Sequence, residues 1–200
     1  MITFVCVLRS GGDYDERYVA AMYKGLSECC SYPFRFTCLT DIGNHAKITP
    51  LKNKFPGWWS KIEAFRVKGP VIYLDLDTVL VGTIDLLVEH VLCWQEHSTF
   101  WMLEAFAKKE TYASGIMAWT GDWSFIYDRF CQDSEWTMQG YSWDQRWIRD
   151  QVAEIKPINR DLYGIVSYKH HCLSSIPEEA KIICFHGKPR PHEVGGKFFQ

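Results

Sequence analysis

Val71-Ile72-Tyr73-Leu74-Asp75-Leu76-Asp77-Thr78-Val79 is the stretch on which the reading of this sequence turns. Its apolar start runs straight into two carboxylates. A continuous apolar run with β-branched and aromatic residues reads as a strand buried on both faces of a sheet. Residues i and i+2 of a strand share a face, so Asp75 and Asp77 are expected to point the same way. Two carboxylates at the end of a buried strand repel each other and are costly to bury. A divalent cation relieves that cost, and hard cations such as Mg²⁺ and Mn²⁺ prefer carboxylate oxygen. In open α/β sheets, ligands bind at the carboxyl ends of strands. The stretch therefore points to a metal site that handles a charged ligand such as a phosphate. The plainer alternative is a strand that exits into a polar turn.

The 200 residues suit one domain with a sizeable core, and residues 1–200 are read as a single unit. At 47% hydrophobic and 23% charged the composition is globular. The net charge of -2 and the lack of a basic stripe longer than Lys108-Lys109 argue against a nucleic-acid partner. The nine Trp are a surplus that suits stacking on sugars or bases as well as core packing. Of the eight Cys, none has C-x-x-C spacing, so a zinc or redox site is unsupported. Met1 to Leu8 lacks a basic n-region and is too short for a signal peptide. No segment approaches the length of a membrane span. A reduced, cytoplasmic protein is the expectation.

Ile2 to Leu8 reads as the first strand, and Arg9-Ser10-Gly11-Gly12 as a flexible turn. Asp13 is expected to cap a helix, with Glu16 completing the capping-box spacing and Tyr18, Met22 and Leu26 at helical intervals. Phe34 to Thr40 is a second strand, ending at Asp41. Arg9 and Asp13 thus sit at the carboxyl end of the first strand, where a nucleotide could dock; the plainer readings are a solvated loop charge for Arg9 and the cap role for Asp13. Ala46 to Leu51 reads as a short strand. Trp58 to Arg66 reads as a helix that buries Ile62 and Phe65. Lys61 lies off that face, either reaching a diphosphate or standing solvated.

Val79 to Val81 is a short extended piece, and Leu86 to Leu92 a helix. Phe100 to Leu103 and Ala113 to Trp119 are strand-like, with the charged loop Glu104 to Tyr112 between them. Gly115 would permit close backbone approach to a ligand. Asp122 to Phe130 and Ser142 to Val152 read as helices, the second with Trp143, Trp147, Ile148 and Val152 on one face. Asp144 and Gln145 occupy its first turn, where an acid also suits the helix dipole. Ile165 to Tyr168 is extended. Lys181 to Phe185 is the last strand, and His186-Gly187-Lys188-Pro189-Arg190 follows it directly. His is the commonest metal ligand, and Lys188 and Arg190 put positive charge where a leaving phosphate needs it. His170-His171 is read as structural, because adjacent side chains diverge in most backbone conformations.

In this order the pieces resemble nucleotide-sugar glycosyltransferases of the GT-A fold, most closely the retaining group that includes glycogenin and the bacterial lipopolysaccharide galactosyltransferases. The resemblance rests on the β-α-β opening, on Tyr73-Leu74-Asp75-Leu76-Asp77-Thr78 with Gly82-Thr83-Ile84-Asp85, and on Ser114-Gly115-Ile116-Met117. It rests also on Asp144-Gln145 and the His186-Gly187-Lys188-Pro189 turn. It implies an α/β fold, Rossmann-like, with a mixed, mostly parallel sheet flanked by helices in a single compact domain. It implies Mn²⁺ (or Mg²⁺) on Asp75, Asp77 and His186, bridging the diphosphate of a nucleotide-sugar cosubstrate, most simply a uridine diphosphate sugar.

Leu8, Arg9, Asp41, Lys61, Leu74, Leu76 and Gly187 would join Asp75 and Asp77 around that donor. Lys188 would contact the diphosphate. Gln145 would lie near the anomeric carbon, and Asp144 would hold a hydroxyl. The chain departs from the family in carrying Ala113-Ser114 where Asn usually precedes Gly. It also has only Gly187 between His186 and Lys188, which makes Arg190 the substitute diphosphate contact. The acceptor, whether carbohydrate, lipid-linked or protein, would be met by variable loops such as Glu104 to Tyr112 and Trp136 to Trp143. With no obvious carboxylate nucleophile, same-face attack with retention is favoured. Under inversion Asp144 would be the general base.

Two rival readings stand beside this one. Asp75-Leu76-Asp77-Thr78-Val79 also fits the nucleophile motif of haloacid dehalogenase-like phosphatases, with Gly121-Asp122 and Asp128 as a loose acidic motif. That nucleophile, however, normally follows the first strand of its domain. A non-catalytic carbohydrate-binding module using Trp58, Trp59 and Trp143 is the other, but it needs no paired carboxylates.

Overall fold

A computed structural model of the chain describes residues 1–43, 47–160, 164–195 and 198. The opening strand and the Asp-x-Asp strand lie side by side at its centre. Strand β1 (Ile2–Leu8) leads into α1 (Glu16–Cys29) and then β2 (Phe34–Thr40) and β3 (Ile48–Pro50). A 3₁₀ segment (Gly57–Arg66) precedes β4 (Val71–Leu74) and the short β5 (Thr78–Leu80). There follow α2 (Asp85–Cys93), β6 (Phe100–Glu104), β7 (Tyr112–Trp119), α3 (Ser124–Gln132), α4 (Ser134–Gly140) and α5 (Asp144–Gln151). The chain continues through β8 (Lys156–Pro157), β9 (Ile165–Ser167), α6 (Tyr168–His171) and β10 (Ile182–Cys184) to a 3₁₀ turn at Pro191–Val194. Of the expected strand from Ala46 to Leu51, Ala46 lies outside the described residues.

Seven strands form one sheet in the order β3-β2-β1-β4-β7-β6-β8. Only β7 runs against its neighbours β4 and β6. The expected mixed, mostly parallel α/β sheet is the observed one. Helices cover both faces, so the inner strands are apolar on both: every residue of β4 is buried. On one face Leu74, Ile72 and Phe4 pack with Tyr18, Met22 and Leu26 of α1. On the other, Val71 and Tyr73 pack with Ile62, Phe65, Phe130 and Ile148.

Three local outcomes differ from the sequence reading. Asp15, not Asp13, caps α1 and accepts from the Arg17 backbone N–H. The segment at Gly57–Arg66 is 3₁₀ rather than α-helical. Its three residues per turn stack side chains in columns. Trp59, Ile62 and Phe65 form the core column, Glu63 and Arg66 pair at 2.5 Å, and Trp58 and Lys61 face the cleft described below. Trp143 precedes α5 and is exposed, leaving Trp147 and Ile148 as the buried face.

A second sheet, β5-β10-β9, closes the site. Antiparallel pairing sets Cys184 opposite Thr78, and the Phe185 N–H donates to the Asp77 carbonyl at 3.0 Å. The segment after β10 is thereby fixed beside Asp77. Among the described residues no helix is long and apolar enough to cross a membrane. The eight cysteines are free thiols.

Phe65 is fully buried and packs its ring 5.1 Å from Trp119 and 5.9 Å from Phe100. Phe65→Ala should cost about 3–5 kcal/mol. Urea denaturation should show this as a lowered midpoint at unchanged slope.

Candidate active site

Where β1 and β4 end, the sheet opens into a cleft of about 830 Å³. The chain turns at Asp75 to Asp77, with the Thr78 N–H donating to the Asp75 carbonyl at 3.0 Å. Both carboxylates face the cleft from this turn rather than from the strand itself. Across from Asp75, β7 bulges where its register with β6 shifts between Met102 and Leu103. Bulges re-aim side chains. Here the Gly115 carbonyl accepts from the Asp75 N–H at 2.9 Å, and the Ser114 hydroxyl turns into the cleft.

Ser114 donates to Asp144 at 2.7 Å, and the Lys61 ammonium donates to Ser114 Oγ at 2.9 Å. Lys61 is buried and also reaches Asp75 at 2.9 Å and Asp144 at 3.3 Å. Burial opposes the charge on Lys61, but Asp144 and Asp75 outweigh it and hold its pKa raised. Lys61 is therefore not a solvated surface lysine. The Tyr73 hydroxyl completes the Asp75 shell at 2.7 Å. Burial still pushes the Asp75 carboxyl up, against the pull of Lys61.

Asp77 has a separate shell. It accepts from the Tyr14 hydroxyl at 2.8 Å and from Arg190 at 3.1 Å. Arg190 also pairs with Asp13 at 2.9 Å and lies over the Tyr14 ring. Burial, then the charge of Asp75, push the Asp77 carboxyl up to about 7, although Tyr14 and Arg190 oppose the shift.

The cleft gathers Arg9, Lys61, Asp75, Leu76, Asp77, Asp144, Gln145, His186, Gly187 and Arg190 from the expected set. Leu8 and Leu74 are buried strand residues behind it. Asp41 lies outside the lining and holds Arg9 at 2.5 Å and the Ser10 N–H at 2.8 Å. Lys188 also lies outside the lining. It is exposed and pairs with Glu193 at 3.4 Å, so the cation from this turn is Arg190. Asp13, expected as a helix cap, instead anchors Arg190.

His186 reaches the cleft but does not join the aspartates as a third ligand. Its Nε2 meets the Ser167 hydroxyl at 2.6 Å, and its ring stacks on His170 and Phe106. Burial and the neighbouring Lys169 lower its pKa. Among the described residues no three His, Cys, Asp or Glu side chains are grouped to hold a metal. The donor chemistry of Asp75 and Asp77 suits a hard cation, but in this arrangement Lys61 and Arg190 supply the positive charge.

The sequence reading assigns no site role to Tyr14, Tyr73 or Ser114 and takes His170 as structural; all four line the cleft. Tyr73 was accessible to that reading, since it shares a strand face with Asp75. Tyr14, Ser114 and His170 depend on a loop, a bulge and a short helix that spacing does not reveal.

No family model matches the sequence, and no curated protein matches it. Solved structures do match. The glycosyltransferase GlyE of Streptococcus pneumoniae TIGR4 aligns over 94% of this chain with a TM-score of 0.69 at 11% identity. The chain spans 55% of GlyE. The galactosyltransferase LgtC, solved with donor and acceptor sugar analogues, aligns over 94% of this chain and 88% of its own, with a TM-score of 0.63 at 12% identity. The bifunctional glycosyltransferase WbbM aligns over 95% of this chain and 46% of its own, with a TM-score of 0.63 at 9% identity. The chain has the GT-A glycosyltransferase fold. In this GT-A fold the cleft lies at the carboxyl ends of the central parallel strands, where open α/β sheets bind ligands.

The Asp77 shift gives a pH test. An unfolded aspartate titrates near 3.9, roughly. Between about pH 4 and the folded value near 7, the folded chain holds a proton that the unfolded chain has lost. Asp77 therefore contributes less stability as pH rises through that window. Asp77→Asn removes the dependence. In chelator-treated buffer it should gain on the wild type between about pH 5 and 8, by on the order of 2 kcal/mol in urea melts. A difference that does not change with pH rules the raised carboxyl out.

Proposed function

We propose that the chain is a hexosyltransferase that moves a sugar from a nucleoside diphosphate carrier, uridine diphosphate in the simplest case, to an acceptor hydroxyl with retention. One observation carries the reading. A single cleft of a GT-A fold brings two aspartates, Asp77 buried and Asp75 half-buried, together with Arg9, Lys61, Arg190 and the Asp144-Gln145 helix start.

A nucleoside diphosphate leaves readily only when its charge is neutralised. Asp75 and Asp77 would hold a divalent cation, Mn²⁺ or Mg²⁺, which supplies Lewis-acid stabilisation of that diphosphate. His186 would join them only by leaving Ser167. Arg190, hinged between Asp77 and Asp13, lies where it can turn to phosphate oxygens. Arg9, steadied by Asp41, adds positive charge at the β1 end of the cleft. Asp144 is held in place by Ser114 and Lys61 and would accept a sugar hydroxyl. Gln145, next on the same helix turn, would lie at the anomeric carbon.

Each carboxylate lining the cleft already has a cationic partner: Asp13 and Asp77 share Arg190, while Asp75 and Asp144 share Lys61. An ion-paired carboxylate offers less charge to a reacting carbon or phosphorus than a free one. That supports same-face attack over a covalent glycosyl intermediate, and it weakens the phosphatase reading, in which Asp75 attacks phosphorus.

Incubation with Mn²⁺ and a panel of nucleotide sugars should release nucleotide, and Asp77→Asn should lower the rate about a hundredfold or more. Mn²⁺ affinity should rise with pH through about 7, as the Asp77 proton leaves. NMR of the product should show the donor's anomeric configuration. Hydrolysis of p-nitrophenyl phosphate without turnover of any nucleotide sugar would sink the proposal.

A further inference from the structure

Two tryptophans stand exposed at the mouth of the cleft. Trp58, on the 3₁₀ column that also carries Lys61, is 51% exposed, and Trp143, beside Asp144, is 54% exposed. Their ring centroids lie 5.1 Å apart with planes 38° from parallel, so they form one angled apolar surface. Neither belongs to the core. Large apolar groups left in water at a cavity mouth mark a binding surface, and an aromatic ring there supplies rigid contact area at low entropic cost.

A second groove, of about 470 Å³, starts on the far side of Trp58. Trp58 and Gly57 line both cavities. The groove has an apolar floor of Pro56, Trp59 and Met138, with the polar side chains of Glu135 and Gln139 at its edge. A bound group leaving the cleft over Trp58 would thus meet an apolar face below and polar groups at the side.

We infer that Trp58 and Trp143 form the acceptor platform, and that the acceptor is an oligosaccharide at least two rings long, running from the cleft over Trp58 into the Glu135–Gln139 groove. The inference rests on the proposed transferase activity. A pyranose has an apolar face of C–H groups and an equatorial rim of hydroxyls, which matches a tryptophan face bordered by carboxylate and amide. A lipid would leave Glu135 and Gln139 facing hydrocarbon, where burying polar groups unpaired is costly. The platform adjoins Asp144 and Gln145, so a ring stacked on it would present a hydroxyl towards them.

Saturation-transfer NMR with an array of linear oligosaccharides of common hexoses and N-acetylhexosamines, and with their methyl monoglycosides, tests this. At least one oligosaccharide should receive saturation on its ring C–H protons and bind more tightly than its monoglycoside. Trp58→Ala and Trp143→Ala should each weaken that binding about fivefold or more, with Trp58→Phe retaining most of it. Glu135→Ala with Gln139→Ala should reduce affinity for the oligosaccharide to that of the monoglycoside. Leu86→Ala, an exposed apolar residue outside both cavities, should change nothing. Calorimetry with uridine diphosphate and Mn²⁺ is run on the same proteins. Nucleotide binding without any saccharide signal, saccharide binding indifferent to both tryptophans, or an equal loss in Leu86→Ala overturns the platform. Saccharide binding through the tryptophans without nucleotide binding upholds the platform and removes the transferase reading instead.

Discussion

Two carboxylates at the end of one strand, Asp77 buried and Asp75 half-buried, must each find positive charge, and the cleft is arranged around that requirement. Removing a carboxylate from water is expensive unless a cation and hydrogen bonds replace the water. Asp75 meets it from the N-terminal half of the chain, through Lys61 and Tyr73. Asp77 meets it through Tyr14 and, from far downstream, Arg190. The raised carboxyl of Asp77 shows that its compensation is incomplete. A site left short of positive charge is one that a cation or a proton can still enter.

That requirement explains why irregular backbone clusters here. The 3₁₀ winding of Gly57–Arg66 puts Lys61 and Trp58 on one column and the core residues on another. The β7 bulge turns Ser114 towards Lys61 and Asp144. An α-helix at the first place would spread the Lys61 column round the axis. An unbroken strand at the second would move Ser114 off the cleft.

The central sheet was legible from Val71 to Leu74 and Ile2 to Leu8 because continuous apolar runs carry their own evidence of burial. The places of Asp75, Asp77 and Arg190 after strands, and of Asp144 in the first turn of a helix, were legible for the same reason: once the elements are placed, their ends are placed. Side-chain direction was not. Asp13 and Asp15 both precede a helical pattern, and only the backbone decides which one caps α1. Trp143 fits the apolar period of α5 by spacing, yet it sits one residue before the helix and faces water. His186 lies at the expected strand end, but Ser167 and two ring contacts, none visible in sequence, set its rotation.

The antiparallel pairing of β5 with β10 has a consequence for how the chain folds. It joins Leu80 to Ile182, contacts made only after a very long loop has closed. The strands of the larger sheet all precede β9 and β10 in the chain. During synthesis, β4 of the main sheet can put Asp77 in place before Arg190 has left the ribosome. Until β10 docks, that aspartate lacks its cationic partner and favours the protonated or hydrated state. The same ion pair that shapes the cleft thus also rewards the docking of β10, and the site edge stays open until that strand is in place.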